Sequence, residues 1–191
     1  MSKARLEAFS DGVIAIVITI MVLELKVPDG ADWSALAPLC SHLLTYVMSF
    51  MYLGIYWTNH HHLLQMAGRV DGRILWANLH LLFWLSLVPV ATAWLGEAGL
   101  EALPVALYGV VLILAAIAYT ILQTTIVARE GPERRLAAAV GRDFKGKLSI
   151  AFYGAAIAVA AAAPRLSVVL YVVVALMWLV PDRRIERQLE R

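Results

Sequence analysis

The sequence predicts an all-α, polytopic membrane protein with six transmembrane helices per chain, the first of them lining a central pore. Composition is the first reason. Of 191 residues, 61% are hydrophobic and 16% are charged, whereas soluble domains run nearer about 45–50% apolar and 25% charged. The second reason is the recurrence of apolar runs bounded by turn residues and charges, as a bilayer-crossing chain requires. The third is the placement of lysine and arginine, which falls almost wholly on one side once six spans are drawn.

The elements follow in order. The first span covers about Leu6 to Leu25, and Val27-Pro28-Asp29-Gly30 turns the chain. Asp32-Trp33 opens a short loop, and the second span runs from about Leu36 to Leu64, long enough to tilt. A polar turn from Gly68 to Arg73 leads to the third span, about Ile74 to Leu95, in which Pro89 marks a kink. The fourth, about Leu103 to Ala128, begins at Pro104 and runs into the longest charged loop, residues 129–147. The fifth, about Leu148 to Ala163, and the sixth, about Leu166 to Val180, are short and rich in Ala and Val, so they could pass for a hairpin that fails to span. A tail, 181–191, follows Pro181. With no internal repeat and no separate soluble region, residues 1–191 read as one transmembrane domain.

Charge sets the orientation. Lys3, Arg5, Arg69, Arg73, Arg129, Arg134, Arg135, Arg142, Lys145, Lys147, Arg183, Arg184, Arg187 and Arg191 fall on one side, against Lys26 and Arg165 on the other. The positive-inside rule puts both termini in the cytoplasm of a multi-pass protein of the cell membrane. The net charge of +2 says little by itself. The single cysteine, Cys40, excludes an internal disulfide and any cysteine cluster. The N-terminus does not read as a secretory signal, because Arg5, Glu7 and Asp11 precede the apolar run.

The first span is unlike the others. Its lipid-soluble run, Val13 to Leu23, interrupted once by Thr19, is shorter than the ~20 residues of a freestanding helix, so crossing brings Ser10 and Asp11 toward one face and Glu24 toward the other. At 100° per residue, Gly12, Ile16, Thr19 and Leu23 share a stripe about 60° wide, with Ile20 at its edge. Ser10 and Asp11 project to the far side. On these residues alone two readings stand: a packing seam with an N-terminal Ser-Asp cap, or a helix with an apolar working face and a polar back. Glu24 reads as a solvated helix-end charge.

Arg5, Phe9, Ser10 and Asp11, followed by Gly12-Val13 and by Ile16, Thr19 and Leu23, resemble the first-helix signature of the transmembrane protein 175 family. The resemblance covers about a tenth of the chain, and its polar residues are specific because they are expensive in a membrane helix. It implies a potassium-permeable, weakly selective cation channel of the single-repeat prokaryotic form, assembled as a homotetramer in the lipid bilayer. It implies that Ile16, Ile20 and Leu23 form a hydrophobic gate, that Thr19 gives a modest preference for K⁺ over Na⁺, and that Arg5, Phe9, Ser10 and Asp11 are structural. Physically, aliphatic rings around an axis gate by dewetting, and a threonine ring replaces part of an ion's hydration shell.

The polar back needs partners at its own depth. Trp57, Asn59, His60 and His61 late in the second span, and Asn78 and His80 early in the third, are the candidates, with Arg5 as an ion-pair partner within the motif. The consecutive His60-His61-His62 point 100° apart on a helix and do not chelate one metal. No cofactor is implied beyond permeant monovalent cations, and the mixed-charge loop is no nucleic-acid patch. The alternatives are a proton-conducting channel and a secondary ion or metal transporter. A transporter predicts mid-membrane charges on several helices or matched broken helices. An enzyme predicts a nucleophile–base or metal set, and the sequence shows none.

Overall fold

The computed structural model describes residues 2–25, 27–28, 30–130 and 144–179. Lys26, Asp29, most of the basic loop and the whole tail at 181–191 lie outside them. The described residues are all helical apart from their connections. We number the helices α1 (Lys3–Leu23), α2 (Ala37–Met66), α3 (Gly72–Ser86), α4 (Val88–Ala98), α5 (Ala102–Glu130), α6 (Phe144–Val159) and α7 (Pro164–Leu179), with a 3₁₀ turn, Trp33–Leu36, before α2.

Four segments are long and apolar enough to cross a membrane: Lys3–Leu23, Leu39–Met66, Gly72–Ala98 and Ala102–Arg129. The third comprises α3 and α4, parted at Leu87 as Pro89 predicts. Proline has no N–H for the Leu85 carbonyl, and Leu87 bonds back to Trp84 O at 3.2 Å in a tighter turn. The helices α6 and α7, of 16 residues each, are the short pair that the sequence leads one to expect.

The helices form a bundle in which α5 packs on α3, α4, α6 and α7, while α1 packs on α2, α3 and α4. Buried hydroxyls tie the middle together. The Thr92 hydroxyl donates to Val88 O (2.7 Å), so Ser49 donates to Thr92 (2.6 Å) and the Tyr108 hydroxyl to Ser49 (2.9 Å). Tyr52 donates to Tyr171 O (2.5 Å), and Tyr171 to Val105 O (3.0 Å). Gly109 makes room for that last contact, since a Cβ there would overlap the Tyr171 hydroxyl.

At one end of the bundle, Lys3 Nζ donates to Gln65 O at 2.7 Å and so binds the start of α1 to the end of α2. Asp71 caps α3 by accepting from the Arg73 and Ile74 N–H groups, both at 3.0 Å, and pairs with Arg129 at the end of α5. These links gather Lys3, Arg5, Arg69, Arg73 and Arg129 at one end, as the charge pattern predicts.

Candidate functional site

The helix α1 has two faces. Leu6, Ser10, Ile14, Val17 and Met21 are buried; their spacing of three and four residues makes one continuous stripe toward α2, α3 and α4. The opposite stripe is exposed in the described chain. Ile16 is 59% exposed, Ile20 43% and Leu23 78%, and Gly12 and Thr19 are exposed between them. A Cβ added at Gly12 would meet no atom within 4 Å.

On the buried face, polar groups form a directional chain. The Ser10 hydroxyl donates to Leu6 O (2.8 Å), and Asn78 Nδ2 donates to Ser10 Oγ (2.9 Å). With its amide so oriented, Asn78 presents Oδ1 to His60 Nε2 at 2.6 Å, so His60 carries its proton on Nε2. All three side chains are buried. Each bond between helices in a bilayer contributes on average about 0.6 kcal/mol. Their larger effect is directional: rotating α1 would take Ser10 Oγ away from Asn78 Nδ2 and leave that buried amide N–H without its acceptor, at about 1–3 kcal/mol.

Asp11 sits beside this chain and accepts from Trp57 Nε1 at 2.9 Å. The Trp57 indole stacks on His61, with ring centroids 6.1 Å apart and planes 24° off parallel. His61 Nε2 lies 2.8 Å from Gln65 Nε2 and accepts from that amide. Trp57 and His61 thus hold Asp11, while His60 and Asn78 hold Ser10. His80 is directed elsewhere and accepts from Trp84 Nε1 at 2.9 Å.

Two expectations are corrected. The Ser-Asp pair is no N-terminal cap, because α1 starts two turns earlier at Lys3 and has Ser2 in the capping position. Arg5 is not the partner of Asp11, which bonds to Trp57. Six residues along a helix turn the side chain by about 240°, so Arg5 lies with Phe9 on the exposed side. The signature is therefore split: Ser10 and Asp11 bond within the chain, while Arg5 and Phe9 (50% exposed) continue the outer stripe toward its polar end.

Sequence reasoning also missed two supports. Met21 lies near the C-terminal end of α1, where Thr92 Oγ1 is 3.9 Å from its sulfur. Lys3 anchors its N-terminal end. The stripe Leu6, Ser10, Ile14, Val17, Met21 was open to the same helical wheel; Lys3 to Gln65 O, a side chain on a backbone group, left no sequence signal. Among the described residues no three His, Cys, Asp or Glu side chains gather as metal ligands.

This constellation lies in the part of the chain that matches a known family. Residues 5–89 match the model of the endosomal/lysosomal potassium channel TMEM175. A potassium channel of a Chryseobacterium species is 55% identical over 190 residues, covering 100% of this chain and 99% of that one. The chain belongs to the TMEM175 family. Among solved structures, a crystal structure of a lysosomal potassium-selective channel TMEM175 homolog from Chamaesiphon minutus superposes with a TM-score of 0.78 at 27% identity, over 93% of this chain and 96% of that one. A mouse endosomal/lysosomal proton channel TMEM175 is 29% identical over 93 residues, 46% of this chain and 19% of its own length. TMEM175 proteins are ion channels, and this chain is a multi-pass membrane ion channel, not an enzyme.

Proposed function

We propose that the chain forms a potassium-permeable, weakly selective cation channel, a homotetramer whose path is lined by the exposed stripe of α1. The observation that carries this reading is the composition of that stripe. Lipid-facing positions suit Ile16, Ile20 and Leu23 well enough. A bare Gly12 and the hydroxyl of Thr19 gain nothing from lipid, whereas small residues let helices approach closely in membranes. Four such faces turned toward a shared axis bring Ile16 and Leu23 into rings about 10 Å apart along the helix, with Thr19 between them.

The chemistry follows. Aliphatic rings exclude water when narrow and so gate by dewetting. Thr19 Oγ1 donates its proton back to the Ala15 and Ile16 carbonyls, both at 3.0 Å. Its lone pairs then remain for a cation. One hydroxyl per subunit is a sparse ligand set beside a filter of stacked carbonyls, which accounts for weak discrimination. Asp11 and Ser10 support this path by fixing the rotation of α1. The end bearing Lys3, Arg5, Arg73 and Arg129 faces the cytoplasm of the cell membrane under the positive-inside rule. Permeant cations are the ligands of the path, and residues 1–191 act as one channel domain.

The name of the mouse relative favours a second reading, proton conduction. Purified protein in liposomes separates the two. Valinomycin-independent K⁺ flux exceeding Na⁺ flux, with slower proton entry, is the result expected. Proton entry without K⁺ flux would replace the potassium reading, and absence of all three fluxes from folded tetramers would end the channel assignment for α1.

A further inference from the structure

The outward face of α3 carries a histidine that packing within the chain does not account for. His80 is exposed, on one stripe with the exposed Trp76 and Phe83. It stands eight residues beyond Gly72, about 12 Å along α3 from its charged end. Its Nε2 accepts from Trp84 Nε1 at 2.9 Å. The neutral ring therefore carries its proton on Nδ1, and no hydrogen bond from Nδ1 occurs among the described residues. Histidines in membrane spans face a protein interior or water and find partners, and acyl chains offer no acceptor.

An acceptor stands on α2. Thr58 is exposed, and its hydroxyl donates its proton to Gly54 O at 2.9 Å, which leaves the lone pairs of Oγ1 without a donor. Gly54 is half-buried one turn away, and a Cβ there would meet no atom within 4 Å. A bare glycine of this kind lets a second helix approach closely in a membrane.

The two faces match in depth. The bond between Asn78 and His60 sets those positions of the antiparallel helices α3 and α2 at one level. Two residues farther from the charged end, His80 and Thr58 are level again, about 3 Å along. Five residues along α3 and six along α2 bring Phe83 and Gly54 to about 8 to 9 Å. The packing order places these faces on opposite flanks of α1. The helix α1 packs on both α2 and α3, while α2 continues onto α4 and α7, and α3 onto α5. Once α1 turns toward a shared axis, α3 of one copy stands beside α2 of the next. An axis along the bilayer normal keeps every residue at its own depth, so level groups meet.

We infer that the ring of copies closes through a heterologous contact between α3 of one copy and α2 of the next. His80 Nδ1 donates to Thr58 Oγ1 across it, and Phe83 fills the notch at Gly54. The inference rests on the α1-lined homotetramer proposed above and assigns its interface. Lipid on this face would leave the imidazole proton unpaired, and α3 against α3 would set two donors face to face.

Disulfide trapping of the full-length channel in membranes tests this, in a Cys40→Ser background that removes the one native thiol. Chains with His80→Cys and chains with Thr58→Cys, tagged differently and co-expressed, should form a mixed disulfide under copper-phenanthroline. Neither should couple to itself. Chains with Ile16→Cys, which report on the axis, should couple to one another. Axial coupling without the mixed product overturns the inference and leaves the α1-lined ring standing; loss of both products overturns the two together. Self-coupling of His80→Cys chains overturns it in favour of a two-fold contact. Gly54→Leu gives a second measurement, since the chain itself has room at that position. Native mass spectrometry should show tetramer lost to monomer, and Phe83→Ala in the same chain should return it. Tetramer unaffected by Gly54→Leu overturns the inference.

Discussion

The two faces of α1 are nearly alike in hydrophobicity and opposite in what they touch. The inner one presents Leu6, Ile14, Val17 and Met21 to α2, α3 and α4, and the outer one leaves Ile16, Ile20 and Leu23 exposed among the described residues. Aliphatic side chains cannot orient a helix in a bilayer, because lipid and protein interior are equally apolar. The hydroxyls distinguish the faces. Ser10 accepts from Asn78, a neighbour 68 residues away in sequence, whereas Thr19 bonds only to its own helix. A polar residue with tertiary partners marks the face finished within the chain, and one folded back on its helix marks the face left for something outside.

Four experiments sharpen or break that contrast. The largest effect is expected on the outer face. Ile16→Ala combined with Leu23→Ala widens the proposed constriction, and cation flux in liposomes should rise by at least about tenfold, the equivalent of some 1.4 kcal/mol off the barrier. Flux equal to wild type from intact, folded channel would mean the outer face covers something other than the path.

On the inner face, Asn78→Ala removes the centre of the chain from His60 to Ser10. Two buried groups lose a partner, and thermal unfolding should show a loss of about 1–3 kcal/mol. Pairing Asn78→Leu with Ser10→Ala, which makes that contact apolar, should recover a good part of the loss. If Asn78→Ala leaves stability intact and changes conduction, the assignment of the inner face to support is wrong.

Thr19→Val is nearly isosteric, and on an exposed face its cost to folding should stay within about 0.5 kcal/mol. Reversal potentials under mixed K⁺ and Na⁺ should move toward zero discrimination. An unaltered reversal potential removes Thr19 from ion recognition.

The smallest effect concerns Asp71, which lies off both faces and serves as a control. The Ile74 N–H, followed by the charge of Arg129, holds its carboxyl below the ordinary carboxylate value. A depressed folded value means that this stabilisation is complete above the unfolded carboxyl pKa, about 3.9, and is lost as pH falls through the folded value. Thermal stability of wild type minus Asp71→Asn should therefore stay constant above about pH 5 and shrink below it. A difference that persists at low pH would trace the effect to the cap rather than to the charge.

Much of this was legible from residues alone. Apolar runs marked the segments, Pro89 placed the break in the third, and a wheel set Gly12, Ile16, Thr19 and Leu23 on one stripe. The family signature drew attention to Ser10 and Asp11, and depth matching brought Trp57, His60 and Asn78 within reach of them. His80 satisfied the same depth argument, yet the structure turns it to Trp84. Depth is one coordinate, and a side chain's direction around its helix is another.

Local physics settled where the chain is helical and where it breaks, because hydropathy, proline and charge act over a few residues in any surroundings. The rotation of α1 belongs to tertiary structure. It depends on Asn78 and His60 arriving from two other helices at hydrogen-bonding distance. Arg5 and Asp11 attract one another in a list of residues; once the helix forms, six positions of winding send them to different sides and leave the indole of Trp57 as the group that reaches the acid.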